Sequence, residues 1–424
     1  MSRAAPIWYE LLWRCLLPFA WLRLWWRGIA EPGYRRNIAE RFGRYPPRSD
    51  DRPTIWIHAV SVGETRAAQP LITQLARDCP GHQIVLTAMT AAGRATSESL
   101  YGDSVARVWL PYDTSTGAER FLDWCRPTFG MLMETELWPN LVLRASARGI
   151  PMFLANARMS ARSAKGYSRF PILTRNVLRA LRGIAAQTAG DAERMTRLGA
   201  ENIRVTGNVK FDVEVPPGTI EKGRALRALF GSARKIWVAG STREGEEVLL
   251  LDALQRLPLP ADALVVIVPR HPQRFDEVAK LLGRRGLRHV RRSDGQTVTD
   301  DITFVVGDSM GEMLAYYAAA DVAFIGGSLL PLGGQNLIEP LAVGTPVVIG
   351  PSTFNFSEVA REAAACDAAL QCADADAVVK CVSILLEDPN RRSLMSGNAA
   401  ALLDAHRGAT TRTVALIVER MRGP

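Results

Sequence analysis

Cysteine is scarce. The 424 residues hold six, Cys15, Cys79, Cys125, Cys366, Cys372 and Cys381, none in a Cys-x-x-Cys pair and none beside a histidine at zinc-ligand spacing. That argues against a disulfide-stapled scaffold and a zinc module, and it points to reduced thiols in a cytosolic compartment. Short internal repeats and low-complexity tracts are absent. So is the interleaving of aromatic and basic residues found on RNA-binding faces. Acidic residues fall short of basic ones, 43 against 52, for a net charge of +9. Such a surplus suits an anionic partner, whether nucleic acid, anionic lipid or a phosphorylated substrate, and charge alone does not choose among them. A hydrophobic content of 47% excludes both a disordered chain and a polytopic membrane protein. The length exceeds that at which a single core keeps growing, so two domains are expected.

What the chain does have is uneven. Trp8, Trp13, Trp21, Trp25 and Trp26 are five of its ten tryptophans, all within the Trp- and Leu-rich stretch 7–29. Tryptophan favours the membrane–water interface. Arg14 and Arg23 interrupt the stretch and Pro18 would kink it, whereas a spanning helix needs about 20 predominantly apolar residues. No small-residue cleavage site follows, so no secretory signal is expected. The reading is a helix over residues 1–30 lying in the interface, its arginines reaching lipid phosphates. A core-docked amphipathic helix and a true spanning anchor are the alternatives. Arg35, Arg36, Arg41 and Arg44 keep the region basic, which favours an anionic leaflet.

From Thr54 onward, short apolar runs alternate with charged amphipathic stretches. The strand candidates are 54–59, 83–87, 105–110, 129–133, 152–155, 183–187 and 203–205. After a break at Val213–Ile220, which carries Pro216, Pro217 and Gly218, come 235–239, 263–268, 287–290, 302–306, 322–325 and 347–350. Alternation of this kind predicts doubly wound parallel sheets. The expected domains are 31–212 and 213–424, two Rossmann-like α/β units facing a central cleft.

Three strand ends share one pattern: Ser61-Val62-Gly63-Glu64, Ser241-Thr242-Arg243-Glu244 and Ser309-Met310-Gly311-Glu312. Ser-x-x-Glu is a helix capping box. It also stands where open α/β sheets bind ligands, with helix N-termini aimed at phosphate. Pro269-Arg270-His271-Pro272 offers Arg270 for a bidentate phosphate contact, or simply as a surface arginine at the next helix. Gly333-Gly334-Gln335-Asn336-Leu337-Ile338-Glu339 joins a glycine-rich loop to an acid; with a helix starting near Gln335, Asn336 and Glu339 would share one face and could meet ribose hydroxyls. In the first half, Glu134 and Glu136 follow a buried strand. Lys210 is a candidate cation for one of them, or a solvated lysine.

These segments, with His58–Glu64, Met133–Asn140, Ala155–Arg158, Gly207–Asp212, Gly307–Glu312 and Gly350–Phe356, resemble the bacterial 3-deoxy-D-manno-octulosonic acid (Kdo) transferases, in order and spacing, over nearly the whole chain. The resemblance implies a GT-B glycosyltransferase that moves Kdo from CMP-Kdo to a lipid A precursor (lipid IVA) in lipopolysaccharide core biosynthesis. It implies inversion, no cofactor and no metal, at the cytoplasmic side of the inner membrane. On the matching positions, Glu64 takes the place of the general base, expected to stay ionised at its helix N-terminus. Glu134 and Lys210 act around the transition state. Pro269, Arg270, Met310, Gly311, Glu312, Asn336, Leu337, Ile338 and Glu339 fall on the CMP-binding stretches. The chain departs from the family at Gln335, where histidine is usual, and at Leu330-Pro331-Leu332, where a charged pair is usual. Of the basic residues from Arg158 to Arg182, only Arg158 and Arg162 are expected to approach the acceptor. The competing readings are a GT-B transferase or epimerase using a UDP-sugar, and a non-enzymatic RNA-binding protein or membrane scaffold.

Overall fold

The computed structural model describes residues 4–48, 50–213 and 215–422. The first sheet is built from β1 (Thr54–His58), β2 (Gln83–Ala88), β3 (Ala106–Trp109), β4 (Pro127–Met133), β5 (Met152–Ala157), β6 (Gly183–Ala186) and β7 (Ile203–Val205). All pairings are parallel, in the order β3-β2-β1-β4-β5-β6-β7. β1 is buried along its whole length, as a strand covered by helices on both faces must be. Trp56 is fully buried, packs edge-on against Phe121 at 4.8 Å, and satisfies its indole N–H on the Thr87 hydroxyl at 2.9 Å. Opposite it β4 carries Gly130, where any side chain would collide with Met152 and Trp56 at under 3 Å.

The second sheet holds β8 (Lys235–Thr242), β9 (Ala263–Pro269), β10 (His289–Arg291), β11 (Phe304–Val306), β12 (Val322–Ile325), β13 (Val347–Ile349) and β14 (Ala369–Gln371). It too is all parallel, in the order β10-β11-β9-β8-β12-β13-β14. The edge strand β14 was not among the strands expected from the sequence.

The chain divides into two compact units, one running to Asp212 and resuming at His406, the other spanning Val213–Ala405. The second domain was expected to continue to 424; the C-terminal segment instead joins the first unit. The reason is burial and capping together. The helix Ala409–Arg422 places Val414 and Ile417 in the apolar cluster of Ile55, Met131 and Phe153. The Asp212 carboxylate accepts the N–H groups of Gly408 and Thr410 at 2.7 and 2.6 Å, satisfying donors at that helix start.

The N-terminal helix, Ile7–Ala30, also belongs to the first unit. One side is docked: Tyr9 donates to Asp113 at 2.9 Å, Glu10 accepts from Ser115 N–H at 2.9 Å, and Leu24 packs with Tyr34 and Tyr112. The other side leaves Leu12, Phe19, Trp21, Leu22 and Trp26 exposed. Among the described residues no helix is long and apolar enough to cross a membrane.

None of the three Ser-x-x-Glu junctions closes as a capping box. At the first, Glu64 accepts the N–H of Val60, one residue before the serine, and the Ser61 side chain caps nothing. At the second, β8 runs through Ser241 to Thr242, and the next helix starts only at Glu246. At the third, Glu312 itself stands at the N-cap of Met313–Ala319, and the Ser309 hydroxyl lies 2.6 Å from that of Tyr316.

Candidate active site

The strand order of the first sheet reverses between β1 and β4. Loops leaving the carboxyl ends of two such strands diverge, and the gap between them is the usual ligand site of an open α/β sheet. Glu64 follows β1, and Glu134 and Glu136 follow β4. The Glu64 carboxylate accepts the Val60 N–H at 2.7 Å, which folds it back over the strand end. Burial, then the charge of Glu134, push its pKa from 4.5 up to about 8; the Val60 N–H opposes this. The expectation of an ionised carboxylate held by the helix N-terminus is thereby corrected. A helix start worth about 0.3–1 kcal/mol does not offset desolvation beside a second carboxylate.

Glu134 forms an ion pair with the Lys210 ammonium at 2.5 Å, both side chains less than one-fifth exposed; the approach is off the hydrogen-bonding direction, so the contact is chiefly coulombic. Its backbone is left-handed, with φ of 57°. A non-glycine residue held there is strained by about 1–3 kcal/mol, and such strain concentrates at functional sites. Glu136 is also pushed up, first by burial and then by Glu134. Three carboxyls thus share a confined space with one ammonium. His58, fully buried with its Nδ1 at 2.9 Å from the Thr87 hydroxyl, is held neutral by burial, which lowers its pKa to about 3.

Lys210 is placed by a chain of contacts between two of the family-like segments and the C-terminal segment. Asn156 is fully buried in β5 with φ of 51°, and its Oδ1 accepts the Val209 N–H at 3.0 Å. Asn208 accepts the Lys210 N–H at 3.0 Å and donates its own N–H to His406 Nδ1 at 3.1 Å. The His406 ring stacks on Phe211 at 4.4 Å. The C-terminal segment therefore braces the loop that carries the ammonium. In the sequence Asn156 and Asn208 fall within the family-like segments Ala155–Arg158 and Gly207–Asp212, whereas His406, some 200 positions on, left no signal.

In the second sheet the order reverses between β8 and β12. The loop after β12 holds Gly326 and Gly327, with Gly333 and Gly334 just beyond. A Cβ on Gly326 would sit 2.3 Å from the Ser241 carbonyl oxygen, and Gly327 has φ of 72°. The organiser of this loop is Glu246, which sequence reasoning missed because an acid at a helix start reads as ordinary. Its fully buried carboxylate accepts N–H groups of Gly327 at 2.6 Å, Arg243 at 2.8 Å and Leu329 at 3.0 Å. Burial raises its pKa against those three donors. Beside it Glu247 pairs with Arg274 at 2.8 Å and accepts from Thr242 at 2.7 Å.

The residues expected to hold CMP lie around this sheet edge. Pro269 closes β9, and exposed Arg270 follows it with its N–H on the Thr242 carbonyl. Met310 is exposed, Gly311 has φ of 77°, and Glu312 lies 3.5 Å from Arg292. The helix expected near Gln335 begins at Ile338, yet Asn336 and Glu339 do meet, Nδ2 to Oε1 at 3.0 Å. Leu337 and Ile338 are each only 2% exposed, so their side chains belong to the core and any ligand contact there is through backbone. The chain's one Asp-x-Asp triplet, Asp374-Ala375-Asp376, is occupied structurally: Asp374 caps the helix Ala375–Glu387 through Ala377 N–H, and Asp376 pairs with Arg256.

Two parallel-sheet units with ligand-type loops at both reversals define a GT-B architecture. The structure aligns with that of Acinetobacter baumannii MurG at a TM-score of 0.55 and 14% identity, covering 87% of this chain and 99% of that one, a likeness of fold. The family model described as 3-deoxy-D-manno-octulosonic-acid transferase (kdotransferase) matches residues 36–213, and the one described as glycosyl transferases group 1 matches residues 248–401. A 3-deoxy-D-manno-octulosonic acid transferase of Bordetella pertussis is 43% identical over 96% of this chain and 97% of its own. One from Haemophilus influenzae is 38% identical over 92% of each. The chain belongs to the 3-deoxy-D-manno-octulosonic acid transferase family; it is a glycosyltransferase, and the sugar it transfers is Kdo.

Proposed function

We propose that the enzyme moves Kdo from CMP-Kdo to a lipid A precursor, lipid IVA, with inversion at the anomeric carbon and with Glu64 as general base, in lipopolysaccharide core biosynthesis. The observation that carries this reading is a carboxyl whose pKa is raised to about 8 at the reversal point of the first sheet, beside the Glu134–Lys210 pair. A base is most effective when its pKa lies near the working pH. In the step, the acceptor hydroxyl oxygen attacks the anomeric carbon and its proton passes to Glu64. The bond from that carbon to the CMP phosphate oxygen breaks, and CMP departs with the electron pair. Glu134 fixes the Lys210 ammonium, which offsets negative charge in the transition state. Pro269, Arg270, Met310, Gly311, Glu312 and the stretch Asn336–Glu339 hold CMP. The guanidinium of Arg270 pairs with its phosphate, and Leu337 and Ile338 act through backbone. Arg158 and Arg162 approach the acceptor. Attachment to the cytoplasmic side of the inner membrane runs through the exposed face of the N-terminal helix, whose tryptophans and arginines suit an anionic interface.

The test is one assay: purified protein in detergent, CMP-Kdo generated in situ, a tetraacylated lipid A precursor, and mass spectrometry of the lipid. One or more added Kdo units, absent with Glu64→Gln, are expected, together with release of CMP. Folded protein that adds no mass, or that releases UMP or UDP from another donor, overturns the reading.

A further inference from the structure

The first unit holds a cavity of about 420 Å³ that the proposed chemistry does not use. It lies beyond β3, the outer strand of the sheet, where the chain enters the helix Ser115–Cys125; Glu64 and Glu134 follow β1 and β4. Arg14 from the N-terminal helix, Arg41, Arg44, Arg120, Tyr112 and Thr116 are among its walls. Four arginines and one acid, Glu10, line it. This acid is already engaged, accepting Ser115 N–H at 2.9 Å and Asn140 Nδ2 at 3.4 Å, and its contact with Arg14 is a loose 3.8 Å. Among the described residues Arg44 and Arg120, both exposed, have no carboxylate within ion-pair distance.

Arg41 is the second observation. Only 1% exposed, it stacks on Trp109 at 3.9 Å and gives one N–H to the Met89 carbonyl at 3.2 Å, while its Nε has no partner among the described residues. Burial of the cation lowers its pKa. Its charge therefore stands behind the cavity wall, where it is little screened and adds to the pull on an anion held by the other arginines. The planar forks of several arginines match phosphate oxygens bidentately. The adjoining wall is apolar: Leu17 and Phe42 line the cavity, and Phe19 and Leu16 are exposed on the same helix.

We propose that this cavity binds a phosphate group carried by an amphiphile, a lipid headgroup site apart from the reaction centre. Cations and an apolar wall side by side suit a headgroup and the start of its acyl chain. The site stands on the cavity and does not depend on the role of Glu64.

The experiment is isothermal titration of the full chain with dihexanoyl phosphatidic acid kept monomeric, and separately with inorganic phosphate. Two variants are compared, R44Q/R120Q in the cavity wall and R77Q/R284Q, which removes the same charge from exposed positions away from the cavity and the N-terminal helix. The lipid is expected to bind the wild type, to weaken about tenfold or more in R44Q/R120Q, and to bind R77Q/R284Q nearly as tightly. Inorganic phosphate is expected to bind at least tenfold more weakly than the lipid. Equal losses in both variants would reduce the site to diffuse surface charge and overturn the proposal, as would no binding or an unaffected R44Q/R120Q. Free phosphate binding as tightly as the lipid would overturn the assignment to an amphiphile. All four substituted arginines are exposed, so unchanged melting temperatures are expected and serve as the folding control.

Discussion

Glu64 sets a pH profile that an ordinary carboxylate could not. With a pKa of about 8, roughly one-tenth of the enzyme carries the ionised base at pH 7 and about half at pH 8. The rate at subsaturating substrate should therefore climb about fifty-fold from pH 6 to pH 8 and level off above 9. A carboxylate titrating at 4.5 would give a flat line over that range. Glu134 is the largest electrostatic cause of the rise after burial, so Glu134→Gln should move the midpoint to lower pH even as it reduces the maximal rate. Glu64→Gln should lower the rate by at least about 100-fold on the plateau above pH 9, as loss of a positioned base does, and the gap should narrow toward pH 6, where the wild type itself has lost most of its ionised base. Stability follows the same linkage with a definite sign. The folded-state pKa is raised, so the native state resists ionisation and stability falls as pH rises from about 4.5 to about 8, then stays level. The full shift corresponds to about 4–5 kcal/mol; solvent access and relaxation around a half-buried group reduce it to ~2 kcal/mol. Glu64→Gln should thus match the wild type in denaturant unfolding at pH 4.5 and exceed it by about that amount at pH 8.5. A wild-type rate profile flat between pH 6 and 9, or a midpoint unmoved in Glu134→Gln, would refute the reasoning.

Other consequences are local. Asn156→Ala strips the Val209 N–H of its acceptor and puts alanine at positive φ, so a loss of about 2–4 kcal/mol is expected in urea unfolding, with activity reduced through a displaced Lys210. Asp212→Ala releases two N–H groups at the start of the C-terminal helix; about 1–2 kcal/mol should be lost, and protease should cut between Asp404 and Ala409 sooner than in the wild type. Glu246→Ala frees three loop N–H donors, and the expected result is a KM for the sugar donor raised at least about tenfold with the acceptor KM little changed. Gly326→Ala drives a methyl into the Ser241 carbonyl and should lower the melting temperature by several degrees in a thermal scan, about 1–3 kcal/mol.

Part of this protein was legible without coordinates. Most of the strands are short runs such as Ala263–Val268, whose unbroken hydrophobicity is dictated by burial on both faces, and that property survives in one dimension. The family motifs at Ser61–Glu64 and Gly333–Glu339 were legible because a motif is a pattern of residues adjacent in the chain. Motif reading failed wherever function depends on distance through space. Ser-x-x-Glu spacing suggested three capping boxes, but tertiary contacts drew Glu64 back to Val60 and carried β8 past Ser241.

The sequence by itself determined the two-sheet class, the family and the list of candidate side chains, because periodicity and local motifs are properties of neighbours along the chain. The tertiary structure alone decided that Glu64 is held near neutral pKa rather than ionised, since desolvation and the charge of Glu134 depend on what surrounds a carboxyl and not on what precedes it. It also decided that residues from His406 onward belong to the first unit, where a buried helix face and the Asp212 carboxylate hold them. The partners in each case lie tens to hundreds of positions apart, and only folding brings them within range of a hydrogen bond or a charge.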